Sequence, residues 1–221
     1  MNTKLKEYNV KYEGAITKVV VPDGDSFCAK YERHSPSQFY ELDLLTAIKA
    51  HNRKGIYVDV GACFGNHTLF FAKHCLSTQV IAIEPWEDSF NLLNKNCARS
   101  EASSKITTHN IALGSSAGSV SMRMVTPHMQ GTTTVTGSGD IPMQTFDDLI
   151  TDPVAVIKLD VENYEEDVLK GATRALAQRP LLTVECQQVS RRDRITEFLK
   201  DWGYVRSRSY CATPTYIFSA A

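Results

Sequence analysis

The rhythm of apolar and polar positions changes near residue 55. Before it, Ala15–Val21 and Ser26–Tyr31 read as strand-like runs, and Pro22-Asp23-Gly24-Asp25 between them reads as a hairpin turn. Gln38–His51 carries Phe39, Leu42, Leu45 and Ile48 three apart, which predicts an amphipathic helix closed by Gly55. After it, short apolar runs at Ile56–Val60, Val80–Glu84, Lys105–Ile111, Val154–Leu159 and Leu181–Glu185 alternate with helical patterns at Thr68–Cys75, Trp86–Arg99, Tyr164–Leu176 and Arg191–Trp202. Ser119–Val125, Tyr204–Ser207 and Thr215–Ser219 are further strands, and Thr145–Ile150 is a short helix. Thr126–Asp140 is rich in Gly, Thr and Ser and reads as a long loop, of the kind that forms a lid or a substrate-binding element.

Strands alternating with helices predict an α/β fold with a doubly wound, mostly parallel sheet and helices on both faces. Runs such as Val154-Ala155-Val156-Ile157 are apolar throughout, as strands covered on both faces must be. No linker divides the 221 residues. They are read as one domain over 1–221, with a hairpin-and-helix extension over 1–54 and the main sheet over 55–221.

Composition narrows the picture little. Lys and Arg number 24 against 25 Asp and Glu, a net charge of −1, which disfavours a nucleic-acid partner. No apolar run approaches the length of a membrane span, so no membrane partner is expected. Cys28, Cys63, Cys75, Cys97, Cys186 and Cys211 are widely and irregularly spaced, which offers neither a zinc cluster nor a disulfide framework. The start is charged and carries no apolar leader. Reduced cysteines and a cytoplasmic location are expected. The oligomeric state stays open, with the N-terminal hairpin as a candidate interface.

Open α/β sheets bind ligands outside the carboxyl ends of their strands. The first such end reads Asp59-Val60-Gly61-Ala62-Cys63-Phe64-Gly65-Asn66-His67-Thr68. Gly61 and Gly65 allow a tight turn and close backbone approach, and the amides of the following helix start favour an anionic group. Asn66 and Thr68 either cap that helix or face the ligand. The spacing D-x-G-x-x-x-G is not the dinucleotide G-x-G-x-x-G, because Cys63 stands where its second glycine would be. The second strand ends at Glu84, placed to accept hydrogen bonds from two vicinal ribose hydroxyls.

Together these features resemble the Rossmann-like methyltransferases that use S-adenosylmethionine, and more specifically the FkbM family. The resemblance runs over Ile56–Cys186 and rests on VDVGACFGNHTLFFAK, VIAIEPWEDSFNLL, HNIALGSSAG, MQTFDDLI and IKLDVENYEEDVLKGA. It implies a seven-stranded sheet. It also implies that Asp59, Gly61, Ala62 and Gly65 hold the methionine part of S-adenosylmethionine, with Thr68 near its carboxylate and Asn66 also among the cofactor-binding residues. By the same resemblance Glu84 takes the ribose, Asn110 and Ile111 flank the adenine, and Asp160 faces the transferable methyl. S-adenosylhomocysteine is then the product, and the acceptor is a hydroxyl of a small molecule such as a sugar or glycan precursor. Two departures stand out: Asn163 occupies a position where the family usually has glycine, and Cys63 replaces a polar residue. Asn tolerates left-handed geometry, so the turn can survive.

An alcohol acceptor needs a route for its proton. Lys158, Asp160 and Glu162 share one side of an extended strand, and Glu185 ends the next buried strand. Lys158 needs a carboxylate partner in its apolar surroundings, with Asp160, Glu162 and Glu185 as candidates. Asp160, Glu162 and Glu185 are the candidate catalytic residues, Glu165 gains a role from the match VENYE, and His67, His109 and His128 are further candidate bases. Asp160 and Glu185 also suit Mg²⁺, but nothing demands it, and no metal is assigned. Arg191-Arg192-Asp193-Arg194 reads as a solvated helix start. The expected activity is O-methylation of a small hydroxylated molecule. Methylation of a protein or nucleic acid, a non-catalytic cofactor-binding module, and an NAD-dependent oxidoreductase remain alternatives.

Overall fold

The computed structural model describes residues 4–34, 36–126 and 130–220. Its centre is a seven-stranded sheet built from β3 (Gly55–Val60), β4 (Ser77–Ile83), β5 (Ile106–His109), β9 (Val154–Leu159), β10 (Leu181–Glu185), β11 (Tyr204–Tyr210) and β12 (Thr215–Ala220). Their spatial order is β11-β12-β10-β9-β3-β4-β5, with all pairs parallel except those made by β12. The chain runs outward from β3 to β5 and then returns to β9 on the other side of β3. The strand order therefore reverses between β3 and β9, where such folds open a crevice.

Alternate residues of each strand feed opposite faces. Val58, Val60, Ile157 and Leu159 pack with α5 (Phe146–Leu149), α6 (Glu165–Lys170), α7 (Thr173–Ala177) and α8 (Val189–Lys200). Tyr57, Val80 and Val156 pack on the other face with α1 (Ser26–Glu32), α2 (Leu42–Ala50) and α3 (Asn66–His74). There Phe70 and Phe71 are fully buried, and Phe70 meets Phe39 edge-on at 5.3 Å. On α4 (Glu87–Ala98), Leu93 and Cys97 close over Ala62 and Ala82. Tyr8, Val10, Val19 and Val21 join the second face, so the N-terminal extension shares its core with the sheet.

Several expectations are corrected. The hairpin lies earlier than expected: β1 (Leu5–Tyr12) pairs with β2 (Ala15–Pro22), and Glu13 and Gly14, both at positive φ, form the two-residue turn. Ser26–Tyr31 is helical, because Asp25 Oδ1 accepts from the Phe27 amide at 2.9 Å and caps α1. The helix expected at Tyr164–Leu176 is two. It breaks at Gly171, where any Cβ would lie 2.1 Å from the Gly114 carbonyl oxygen.

The expected loop Thr126–Asp140 is largely strand. Two further strands, β6 (Ala112–Leu113) and β7 (Gly118–Met124), join β8 (Thr133–Gln144) in a three-stranded sheet. The run of β-branched residues at the start of β8 tolerates its glycines because β7 pairs along it, with register shifts beside Gly137. Residues 127–129, including His128, lie outside the described residues.

Candidate active site

Lys158 and Asp59 are register partners on neighbouring parallel strands, so their side chains meet inside the protein. Lys158 Nζ lies 3.1 Å from Asp59 Oδ1 and 3.5 Å from Asp160 Oδ2, and it donates to the Gly61 carbonyl at 2.8 Å. Thr68 Oγ1 donates to the other Asp59 oxygen at 2.6 Å. Burial alone would lower the lysine's proton affinity, but the two aspartates hold it above its ordinary value. Burial would likewise raise Asp59, and Lys158 reverses the sign. One buried ammonium thus ties the glycine loop, the end of β3 and the end of β9 together.

The loop itself is held by backbone geometry. Gly61 has φ +77, and a Cβ there would stand 1.8 Å from the Asp160 carbonyl oxygen, so only glycine fits. The Gly61 and Ala62 amides both donate to the Ile83 carbonyl, at 2.9 and 3.0 Å. The Cys63 amide then points at Glu84 Oε2 at 2.9 Å, while the Trp86 amide reaches Glu84 Oε1 at 2.9 Å. Burial raises Glu84 to about 7 despite these two donors. Asn110 Nδ2 donates to the carbonyls of Glu84 and Pro85, which fixes the turn after β4.

These strand ends open into a cavity of about 670 Å³. One end is lined by Ile83, Glu84, Pro85 and Ile111, an acid against an apolar slot. The other end carries Asp160, Glu162 and Glu185, whose carboxylate oxygens lie within 4.8 Å of one another. Burial pushes Glu185 far up, helped by the nearby Asp160 and Glu162 and a hydrogen bond with Asp160. Burial raises Glu162 as well, reinforced by Asp160. Gln187 Nε2 donates to Glu162 at 2.8 Å and to Glu185 at 3.2 Å. Three carboxyl groups this close cannot all be ionised cheaply, and Glu185 is the one that keeps its proton. Their oxygens are donors of the kind a hard divalent cation takes, although the Lys158 ammonium beside Asp160 opposes one.

The sequence-predicted residues separate into two groups. Gly61, Glu84, Ile111, Asp160, Glu162 and Glu185 line the cavity together. Asp59, Ala62, Gly65, Asn66 and Thr68 are buried behind it, and Asn110, exposed just after β5, is outside its lining. Asn66 is spent on the N-terminal extension: its side chain accepts from Tyr31 and the Tyr40 amide and donates to the Tyr40 carbonyl, each at 3.0 Å. His67 pairs with Glu41 at 3.2 Å, and neither it nor His109 lines the cavity. Among the described residues no histidine lines it, burial holds the Tyr40 phenol and the Cys63 thiol in their protonated forms, and the carboxylates are the candidate bases.

Sequence reasoning missed two contributors, Glu41 and Arg191, and it singled out Glu165 only through the match VENYE. Glu41, held at φ 58, lines the cavity. Arg191 is no solvated charge: it donates to the Asn163 carbonyl and lies 3.9 Å from Glu165. Glu165, buried and raised to about 7 by that burial, accepts from the Val161 and Asn163 amides. Together they pin the turn in which Glu162 and Asn163 both have positive φ, at 51 and 78. The asparagine takes the left-handed backbone expected of a glycine there. Glu41 and Arg191 had no legible signal, because their partners are set by tertiary packing.

Comparison with known proteins agrees with this architecture. A model described as the methyltransferase FkbM domain matches residues 59–206. The hexuronic acid methyltransferase AglP of Haloferax volcanii is 26% identical over 196 residues, spanning 82% of this chain and 80% of that protein. The crystal structure of methyltransferase FkbM from Methylobacillus flagellatus superposes with a TM-score of 0.59 at 22% identity, over 76% of this chain. The chain spans only 43% of that longer protein. TrmK of M. capricolum, solved with S-adenosyl-homocysteine as its natural cofactor product, superposes with a TM-score of 0.50 at 7% identity, over 80% of this chain and 66% of that one. The family match covers well over half of the chain, and the protein belongs to the FkbM methyltransferases.

Proposed function

We propose that this methyltransferase uses S-adenosylmethionine to methylate a hydroxyl of a small sugar or glycan precursor. The observation that carries the reading is the shared cavity. A buried acid that suits a ribose sits at one end, and a close trio of acids, Asp160, Glu162 and Glu185, sits at the other. The haloarchaeal relative named for hexuronic acid supports a sugar acceptor. A net charge of −1 and an acid-rich cavity argue against a nucleic acid. Among the described residues, no helix is long and apolar enough to cross a membrane.

The residues present fit the cofactor. Each Glu84 oxygen already takes one backbone amide and keeps a lone pair free for a ribose hydroxyl. Ile111, Ile83 and Pro85 offer apolar walls for adenine beside it. When bound, the cofactor supplies a methyl group already activated on a sulfonium. The chain's task is then orientation and proton removal. Lys158 keeps Asp160 and the glycine loop fixed relative to each other. Asp160 and Glu162 present acceptor oxygens to the incoming hydroxyl. Glu185, protonated and hydrogen-bonded to Asp160, limits the charge the trio must carry. Positioned bases of this sort contribute about 10²–10⁴-fold.

Titration with S-adenosylhomocysteine and with NAD tests the cofactor. Binding of the first without the second is expected, and the reverse would refute the reading. Turnover of S-adenosylmethionine against sugar panels tests the acceptor. Methylation confined to nitrogen or to a polymer substrate would overturn it.

A further inference from the structure

Among the described residues, the cavity is walled by five acids, Glu41, Glu84, Asp160, Glu162 and Glu185, and by a single cation, Lys30. Lys30 projects from α1, with its ammonium 3.9 Å from the ring centroid of Phe27 and 3.9 Å from that of Tyr40. Two π faces hold a cation in place and supply no hydrogen-bond acceptor. Its charge offsets part of the rise that burial gives Glu162, and it makes no ion pair with Asp160, Glu165 or Glu166, whose cations are Lys158, Arg191 and Arg194. It is a half-buried, pre-positioned ammonium with its N–H groups unspent, in a cavity otherwise hostile to anions.

We propose that Lys30 binds a carboxylate on the acceptor, so that the sugar methylated here is a uronic acid rather than a neutral hexose. This deepens the sugar reading above and rests on it. Lys30 is the one cation on the described lining, so a single carboxylate can pair with it, whereas a phosphate dianion would bring a second negative charge against the acids. The cofactor also has a carboxylate, on its methionine part. Lys30 lies in the N-terminal extension, outside the matched residues 59–206, whereas Gly61, Glu84 and Ile111 lie within them. That placement favours a contact with the acceptor over one with the common cofactor. Phe27 and Tyr40 set the ammonium's position, and Lys30 and the acid trio line the same cavity, so one sugar ring can meet both.

The test uses the full chain saturated with S-adenosylhomocysteine. Calorimetric Kd values are measured for methyl glucuronoside against methyl glucoside, and for methyl galacturonoside against methyl galactoside. In the unaltered protein at least one acid is expected to bind roughly tenfold or more tighter than its neutral counterpart, as a charge-assisted contact implies. Lys30→Met should collapse that ratio to about one, and Lys30→Arg should keep most of it. The affinity for S-adenosylhomocysteine, measured separately, should stay within about twofold in both variants. Lys30 is half-buried on a surface helix, and thermal melts of both variants check that they fold. Equal binding of acid and neutral sugars by the unaltered protein would overturn the proposal, as would a ratio that survives Lys30→Met. A fall in S-adenosylhomocysteine affinity with an unchanged sugar ratio would also overturn it and assign Lys30 to the cofactor. Failure of the parent reading is distinguishable, since it appears as absent S-adenosylhomocysteine binding in the unaltered protein. The sugar ratio can then still be read without it.

Discussion

Glu185→Gln should make the protein more stable, by a margin that grows as pH rises above about 4.5. Glu185 ends the central strand β10 with 8% of its surface exposed, against Asp160 and Glu162. In the unfolded chain it ionises near the ordinary 4.5. In the folded protein burial, followed by its two acidic neighbours, keeps the proton on up to about 10. Between those values the folded state binds one proton more than the unfolded state. Stability therefore falls as pH rises from 4.5, by about 1.4 kcal/mol per pH unit. At pH 7.5 the accumulated cost has a ceiling of about 4 kcal/mol, and residual water access brings the expected value nearer about 2.

The amide introduced by Glu185→Gln keeps the shape and an N–H to donate to Asp160, but it cannot ionise on unfolding. Urea unfolding at pH 4.5 and pH 7.5 reads the difference. The variant should gain about 2–4 kcal/mol at pH 7.5, which is several degrees in Tm, and the gain should shrink toward zero at pH 4.5. An equal gain at both values would refute the argument. So would a loss at pH 7.5, because it would mean that Glu185 is ionised in the native trio. The gain should be accompanied by slower turnover, since a fixed amide cannot share the trio's proton.

Other perturbations probe the remaining links. Glu84→Ala should weaken S-adenosylhomocysteine binding about 10–100-fold, and calorimetry reads it. The unaltered protein should bind that ligand more tightly as pH rises through about 7, where Glu84 becomes ionised, and Glu84→Gln should abolish the slope. Asp160→Asn should lower kcat by about 10²-fold or more while changing cofactor affinity little, and equal losses would make Asp160 a cofactor residue. Lys158→Met should cost about 3–5 kcal/mol in denaturant unfolding by leaving Asp59 buried without its ion pair, and adding Asp59→Asn should recover part of that. EDTA should leave turnover unchanged, and a loss restored by Mg²⁺ would place a cation among Asp160, Glu162 and Glu185.

The sheet was legible because its strands are apolar on both faces and its helices keep their own period. Ile56–Val60 and Val154–Leu159 read almost as they fold. The N-terminal hairpin was not, because β1 faces solvent along most of its length and turns only Tyr8, Val10 and the half-buried Tyr12 inward. Two buried positions in eight carry little periodicity against Lys4, Lys6, Glu7 and Lys11. In β8 the glycines and proline outweighed the threonines in local propensity, and the strand exists through its pairing with β7. Both misses have one cause: the stabilising partner is a neighbouring strand that local pattern cannot see.

The candidate site divides along the same line. Residues chosen by strand ends, Glu84, Asp160 and Glu185, reach the cavity because a strand's carboxyl end is a position in the fold as well as in the chain. Residues chosen by motif membership do not all follow. Asp59 and Thr68 stand in the strongest motif and lie wholly behind the cavity, bonded to each other, with Asp59 also paired to Lys158. Their effect is indirect. Asp59 holds the ammonium that fixes the Gly61 carbonyl and Asp160, so its loss should loosen two strand ends at once. A motif acid can thus be indispensable to a site it never touches, and the physical reason is register. Asp59 and Lys158 face each other across β3 and β9, at the point where the strand order reverses and the cavity opens.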